Sequence, residues 1–168
     1  MKCMKLSFPK WLKRKFLDPK DLEKKVQELR KNHKKIVTLN GSFDLLHAGH
    51  LHILYEAKEK GDILIVALNT DESVKKYKSE NRPIITLYNR LQMISSLECV
   101  DFVTYFDETD PRAVLKKIRP DIHANGAEYG SDCIEKETVE SFKGKIYTVN
   151  RINGLSTSEI IKSIQCVK

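Results

Sequence analysis

From residue 36 onward, short runs of consecutive apolar residues alternate with segments whose apolar positions recur at helical spacing. Continuous apolar runs of this length predict strands that are covered on both faces, which is typical of parallel sheets. There are five such runs, at residues 36–40, 63–69, 101–106, 121–125 and 145–149. Their alternation with helices predicts one α/β domain with an open, doubly wound, parallel five-stranded sheet and helices on both faces.

Several residues mark the ends of the predicted helices. Gly61 stands where a helix C-cap is expected, and Asp110 followed by Pro111 forms an N-cap and first-turn pair. Ser156 and Glu159 have the spacing of a capping box, which predicts that the last helix begins there.

Residues 1–34 form a basic N-terminal arm and a packing helix ahead of the domain predicted at 35–168. In residues 18–33, one helical face carries Leu22, Val26 and Leu29. Before it, Phe8, Leu12 and Phe16 recur at every fourth position among lysines. This stripe fits a basic helix for a membrane surface or a partner protein. We favour the alternative, in which the stripe folds back onto the core.

The charge is concentrated in this arm. The chain has a net charge of +7, but residues 1–35 carry 13 Lys and Arg against 4 Asp and Glu, a net +9, and the remaining residues carry 17 against 19, a net −2. Because the body of the chain is nearly neutral, the overall basic charge does not predict nucleic-acid binding.

The sequence has neither a membrane span nor a metal-binding cysteine pattern. No segment approaches the roughly 20 apolar residues that a spanning helix needs, and the start lacks the apolar core of a signal peptide. Stable membrane insertion and secretion are therefore not expected. The four cysteines, Cys3, Cys99, Cys133 and Cys166, form no CxxC pair. We expect free thiols and a cytoplasmic location.

The candidate functional residues follow the first predicted strand, in the segment LNGSFDLLHAGHLHIL. In open α/β sheets, ligands bind at the carboxyl ends of the strands. Gly41 allows a tight turn and Gly49 allows a close approach to a helix that begins near Ala48. The N-terminus of such a helix binds phosphate, and His47 and His50 add donors beside it. Paired histidines also occur as packing residues or metal ligands, but no third ligand stands at a suitable spacing.

Four segments in order resemble the cytidylyltransferase-like nucleotidyltransferases with the HxGH signature: NGSFDLLHAGH, LNTDESVKKYKSENRPI, RLQMISSLECVD and NGLSTSEIIKSI. Within that superfamily they are most similar to the adenylyltransferases that make ADP-heptose for lipopolysaccharide. The resemblance implies that residues 35–168 are a Rossmann-like nucleotidyltransferase domain. In many bacteria this activity is fused to a sugar kinase, for which the chain has no room, so we expect a stand-alone transferase.

The resemblance also implies a reaction. A phosphate oxygen of D-glycero-β-D-manno-heptose 1-phosphate attacks the α-phosphorus of ATP in line, giving an ADP-sugar and pyrophosphate without a covalent enzyme intermediate. Mg²⁺ enters with the triphosphate, and no protein metal site is expected. The implied catalytic residues are His47, His50 and Lys75. The implied nucleotide-binding residues are Asn40, Gly41, Ser42, Phe43, Asp44, Gly49, Arg90, Gly126, Ser156 and Thr157, and the implied substrate-binding residues are Lys78, Arg82, Asn125 and Glu128.

One segment departs from the family pattern. After the fourth strand the family commonly has a Lys-Gly pair and then an acidic-aromatic pair, whereas this chain has Asn125 for the lysine and Glu128 for the usual aspartate. Two alternatives therefore stay open: a cytidylyltransferase for glycerol 3-phosphate or a similar phospho-alcohol, and a nucleotide-binding scaffold without turnover. From the residues alone, we expect Lys76 on a solvent-exposed helix face and Arg90 in an ordinary surface ion pair. Exposed strand edges are compatible with a homodimer.

Overall fold

The five predicted strands form one parallel sheet in the order β3-β2-β1-β4-β5. The structure is a computed structural model that describes residues 8–130, 132–150, 152 and 154–167, without the side chain of Glu128. The strands are β1 Ile36–Gly41, β2 Ile63–Asn69, β3 Phe102–Phe106, β4 Ile122–Gly126 and β5 Lys145–Val149. Every pairing is parallel, and β1 lies between β2 and β4. The predicted α/β fold is confirmed.

The helices connect the strands and cover both faces of the sheet. They are α1 Lys10–Lys13, α2 Leu22–Lys31, α3 Ala48–Lys58, α4 Asp71–Tyr77, α5 Leu87–Ser95, α6 Arg112–Ile118, α7 Lys136–Glu140 and α8 Thr157–Cys166. A 3₁₀ turn, Ala127–Tyr129, follows β4. One core contains Leu39, Leu64 and Leu91, and the other contains Ile36, Ile65 and Ile118. Because neighbouring residues of a strand point to opposite faces, continuous apolar runs fill both cores.

Two of the predicted helix ends are shifted. The helix α3 ends at Lys58 with Glu59 as its C-cap, so the prediction of a C-cap at Gly61 was wrong. A Cβ at Gly61 would lie 2.7 Å from Val37 Cγ2 and 2.9 Å from the Lys35 carbonyl oxygen, so this glycine allows a close approach to β1. Pro111 is the N-cap of α6 rather than its first residue.

The N-terminal arm folds back onto the core, as the apolar stripe predicts. Leu12 is fully buried and Phe8 is almost fully buried, and the Phe8 ring stacks on Tyr88 with centroids 5.5 Å apart. Phe16 pairs with Val103 as a parallel bridge at the edge of β3. The arm therefore covers one edge of the sheet.

In the described part of the chain, no helix is long and apolar enough to cross a membrane. Cys99, Cys133 and Cys166 are free thiols. Cys3 lies outside the described residues.

Candidate active site

A cleft of about 250 Å³ opens at the carboxyl ends of β1, β4 and β5. The chain passes from β1 outward to β2 and β3, and later crosses back to β4 on the other side of β1. The cleft therefore lies at the switch point in strand order, where open α/β sheets bind ligands. It brings together most of the predicted site residues: Asn40, Gly41, Ser42, Phe43, His47, Gly49, His50, Lys78, Asn125, Gly126, Ser156 and Thr157.

The two histidines stack on each other in the cleft. Their ring centroids are 3.9 Å apart, with 24° between the planes. His47 is the N-cap of α3, so His50 lies in its first turn. A Cβ at Gly49 would lie 3.0 Å from two ring atoms of His47, so the glycine leaves room for that ring. This contact gives a physical reason for a glycine between the two histidines.

Two helix N-termini point into the same cleft. The first residues of α3 and of α8 line it, including Ser156, Thr157 and Ser158 from α8. The hydroxyl oxygen of Ser156 accepts from the Glu159 N–H at 3.1 Å, which confirms Ser156 as the N-cap. The first-turn N–H groups of a helix have no acceptor within the helix and carry a partial positive charge. Two such ends beside two imidazoles favour a polyphosphate.

Lys78 supplies the cation of the described lining. Its Nζ donates to the Ser42 hydroxyl at 2.9 Å. Burial lowers the pKa of Lys78, and the nearby charge of Arg82 lowers it further, while Asp44 opposes both. Because a bound phosphate favours the charged amine, Lys78 is suited to pair with an anionic ligand.

Asp44 holds the loop that follows Lys78 and does not line the cleft. It is fully buried, and its carboxylate accepts from the N–H groups of Ile84 and Ile85 and from Arg82 Nε at 2.6 Å. Burial alone would raise its pKa, but these hydrogen bonds outweigh burial and keep the pKa below its ordinary value. These contacts give Asp44 a loop-holding role, and its predicted contact with the nucleotide stays a prediction.

Arg90 is also buried rather than in contact with the cleft. Its side chain is fully buried and donates to the carbonyl oxygens of Ser42, Asn69 and Ile85 and to the carboxylate of Asp71. Neither the predicted nucleotide contact nor a surface ion pair describes this arrangement. The guanidinium joins the ends of β1 and β2, and so positions Ser42.

Two further cations lie outside the cleft. Lys75 pairs with Glu72 of the same helix at 2.9 Å, and Lys78 rather than Lys75 lines the cleft together with the histidines. Arg82 is paired with Asp44 behind Lys78. The sequence could not separate these cations, because Lys75 and Lys78 are three residues apart in one lysine-rich run.

Asn125 and Gly126 line the cleft at the end of β4, and Tyr129 lines it from the turn beyond. The side chain of Glu128 lies outside the described part, so its predicted contact stays a prediction. The sequence analysis missed several lining residues: Leu39, Ile53, Tyr129, Val149, Asn150, Leu155 and Ser158. Tyr129 and Asn150 were detectable, since each follows a predicted strand, but their residue types do not indicate a particular chemistry.

Comparison with known proteins identifies the family of this chain. The family description Cytidylyltransferase-like matches residues 38–163, which is most of the chain and includes the whole cleft. The chain belongs to the cytidylyltransferase-like family. Membership in this family confirms the prediction of a nucleotidyltransferase, whereas the nucleotide and the acceptor are not fixed by it.

Relatives in this family include the bifunctional protein HldE of Helicobacter hepaticus, which is 46% identical over 132 residues. That match covers 78% of this chain and 27% of the relative. The bifunctional protein HldE of Helicobacter pylori is 43% identical over 145 residues, which is 86% of this chain and 30% of that protein. The chain thus spans less than a third of the length of these relatives.

Solved structures agree with the fold. The lipopolysaccharide core biosynthesis protein of Thermoplasma volcanium matches with a TM-score of 0.57 and 30% identity, over 71% of this chain and 97% of that one. Pantoate-beta-alanine ligase of Francisella tularensis, in complex with an ATP compound and beta-alanine, matches with a TM-score of 0.65. That match has 20% identity over 89% of this chain and 72% of that one, and shows the fold alone.

The described lining of the cleft contains no carboxylate, and no group of three His, Cys, Asp or Glu able to hold a metal occurs in the described part. Mg²⁺ usually keeps several waters and is bound through one or two carboxylates together with substrate phosphates. Since the described lining supplies no carboxylate, a Mg²⁺ ion in this cleft would be held by the phosphates of a nucleoside triphosphate and by water. The hydroxyls of Ser42, Ser156 and Thr157 are side-chain oxygens of the lining that could contact such an ion or its water ligands.

Proposed function

We propose that this chain transfers AMP from ATP to a sugar 1-phosphate, D-glycero-β-D-manno-heptose 1-phosphate, and releases pyrophosphate. One observation carries the proposal: two stacked imidazoles, two helix N-termini and one lysine converge on a single cleft whose described lining has no carboxylate. These groups fit two phosphorylated substrates. The similarity to HldE proteins and to a lipopolysaccharide core biosynthesis protein supports the sugar acceptor.

In the proposed reaction, a phosphate oxygen of the acceptor attacks the α-phosphorus of ATP. The new phosphorus–oxygen bond forms as the bond to the β-phosphate oxygen breaks, and pyrophosphate carries away the electron pair. Donors that face the charge developing at this step lower the barrier, because they are already oriented. We assign that role to His47 and His50, and the neutralisation of phosphate charge to Lys78.

The start of α8 would hold the β- and γ-phosphates. Its N-cap hydroxyl, on Ser156, already accepts from the helix backbone. Thr157 and Ser158, at the start of the helix, line the same cleft. Mg²⁺ would supply additional charge neutralisation on the triphosphate, whereas the chain supplies orientation and hydrogen-bond donors.

The deciding experiment is a pyrophosphate-release screen of ATP, CTP, GTP and UTP against phosphorylated acceptors. The acceptors are heptose 1-phosphate, glycerol 3-phosphate and other sugar 1-phosphates. We expect the highest kcat/KM for ATP with the heptose. A site that hydrogen-bonds one base can reject another by up to ~10⁴. A preference for CTP with glycerol 3-phosphate would replace this proposal by the cytidylyltransferase alternative, and no release with any pair would favour a binding scaffold.

A further inference from the structure

A buried carboxylate lies directly behind the β4 end of the cleft. Glu135 is only 5% exposed, and its Oε2 accepts from Asn125 Nδ2 in a long hydrogen bond of 3.5 Å. Although Glu135 is the N-cap residue of α7, its side chain caps no N–H group of that helix. Helix capping therefore does not account for a carboxylate at this buried position.

The partners of Asn125 define the orientation of its carboxamide. Its Oδ1 accepts from the Gly126 N–H at 3.2 Å, while its Nδ2 faces Glu135. A backbone N–H requires an oxygen and a carboxylate requires an N–H, so the two partners together select one of the two amide orientations. The Nδ2 group has two hydrogens, and Glu135 takes one of them. Asn125 also makes a side-chain hydrogen bond to the Cys133 thiol, but a thiol sulfur is a weak acceptor. An oxygen of a ligand in the cleft, which Asn125 lines, would therefore compete for this second hydrogen.

We propose that Glu135 is a positioning residue that fixes Asn125 as a hydrogen-bond donor to an uncharged part of a bound substrate. This inference rests on the proposed function, since it takes the cleft to be the substrate site. The carboxylate of Glu135 repels phosphate at this end, whereas the histidines, Lys78 and the helix N-termini attract it elsewhere in the cleft. The part held by Asn125 is therefore an uncharged acceptor, either a nucleobase ring nitrogen or carbonyl, or a sugar hydroxyl.

Two neighbouring groups also interact with Glu135. Arg112 interacts with it electrostatically, although Asp110 is the first cause of the raised pKa of Arg112. The thiol of Cys133 is buried and makes side-chain hydrogen bonds with both Asn125 and Glu135. Burial raises the pKa of this thiol, which keeps it uncharged.

The kinetic test compares Glu135→Ala, Glu135→Gln, Asn125→Ala and the double variant Asn125→Ala/Glu135→Ala. We expect Glu135→Ala to raise one KM about tenfold, the effect of one lost oriented hydrogen bond, with kcat changed less than threefold. A raised KM for ATP assigns the nucleobase, and a raised KM for the acceptor assigns the sugar. Glu135→Gln keeps an acceptor and should restore most of the affinity. The matched control is Glu140→Gln, an exposed residue of the same helix.

The double variant separates positioning from general stability. If Glu135 acts through Asn125, removing it adds nothing once Asn125 is alanine. Additive effects, equal rises in both KM values, or unchanged kinetics in Glu135→Ala would overturn the proposal.

A second measurement needs no turnover. The Asn125 side-chain amide signals of the ¹⁵N-labelled full chain should shift in Glu135→Ala, recover partly in Glu135→Gln and stay unchanged in Glu140→Gln. Unchanged signals in Glu135→Ala refute positioning even in an active enzyme. If the wild-type chain shows no turnover but the Asn125 signals shift in Glu135→Ala, positioning is supported and only the proposed reaction is refuted.

Discussion

His123 makes the stability of this protein depend on pH above the range in which carboxylates titrate. It lies on β4 with its ring fully buried, and its Nδ1 is 2.8 Å from the hydroxyl of Thr38 on β1. No described group makes a hydrogen bond to its buried Nε2. Burial lowers the pKa of His123 from 6.5 to about 4. The imidazole is therefore neutral in the folded protein.

The magnitude follows from proton linkage. Since the pKa is lower in the folded state, the unfolded chain takes up the proton first as the pH falls, and protonation favours unfolding. A group with pKa values of 6.5 and about 4 in the two states loses about 2 kcal/mol of stabilisation between pH 7 and pH 5, and about 3 kcal/mol by pH 4. The pKa of Asp44 is lowered from 3.8, so its stabilisation is lost mainly at more acid pH.

Urea unfolding at pH 7, 6 and 5 measures this effect. The variant Thr38→Val/His123→Leu replaces both polar partners by apolar groups. Between pH 7 and pH 5, we expect its unfolding free energy to decrease by about 2 kcal/mol less than that of the wild type. The control is His33→Asn, because His33 is exposed and asparagine tolerates its positive φ of 53°. An unchanged pH dependence in the double variant would refute the reasoning.

Three further predictions concern the cleft and the arm. His47→Ala and His50→Ala should each lower kcat by about 10² with little change in nucleotide affinity; near-wild-type turnover in both would contradict the assignment. Lys78→Ala should raise KM for a phosphorylated substrate at least tenfold by steady-state kinetics, whereas Lys75→Ala should stay near wild type; the reverse order would restore Lys75 to the site. Deleting residues 1–17 should lower the Tm by several degrees, because it removes the buried Leu12. The deletion should also promote association in sedimentation, because it uncovers the β3 edge. Below the Tm, kcat should stay unchanged.

The fold could be predicted from the sequence because each strand is marked by the apolar run of its own residues. Each strand of a parallel sheet buries both faces, so a run such as residues 63–69 stands out without knowledge of its neighbours. Helix ends are less well determined. Gly61 resembles a C-cap in sequence, but it is required by the close approach of Val37 and Lys35, which belong to an earlier part of the chain.

The candidate site was predictable to the extent that its residues are contiguous. His47, Gly49 and His50 act within one helix turn, and Ser156 caps its own helix, so spacing alone brings each group together. The cations are different, because Lys75 and Lys78 are three residues apart and so are neighbours on the helix surface, with Lys75 inside α4 and Lys78 as its C-cap. Similarity to a family identified the lysine-rich run, but only the packing of α4 selects the lysine that lines the cleft.

Arg90 illustrates a role that no local pattern could reveal. Its guanidinium satisfies carbonyl oxygens from the ends of β1 and β2, and a buried cation is tolerated only when such acceptors surround it. The residue is therefore needed wherever this loop arrangement is needed, even though it lies outside the lining of the cleft. A match at such a position supports a shared architecture, not a shared ligand contact.

In the proposed reaction, one part of the cleft recognises phosphate and another part recognises the rest of the substrates. Imidazoles, helix N-termini and Lys78 respond to negative charge and are indifferent to the base or sugar attached to it. Under this proposal, discrimination between bases and between sugars arises at the β4 and β5 ends, where Asn125, Tyr129 and Asn150 line the cleft. Substitutions at the histidines should consequently lower kcat/KM for ATP and CTP by similar factors, whereas substitutions at Asn125 should change their ratio if it contacts the base.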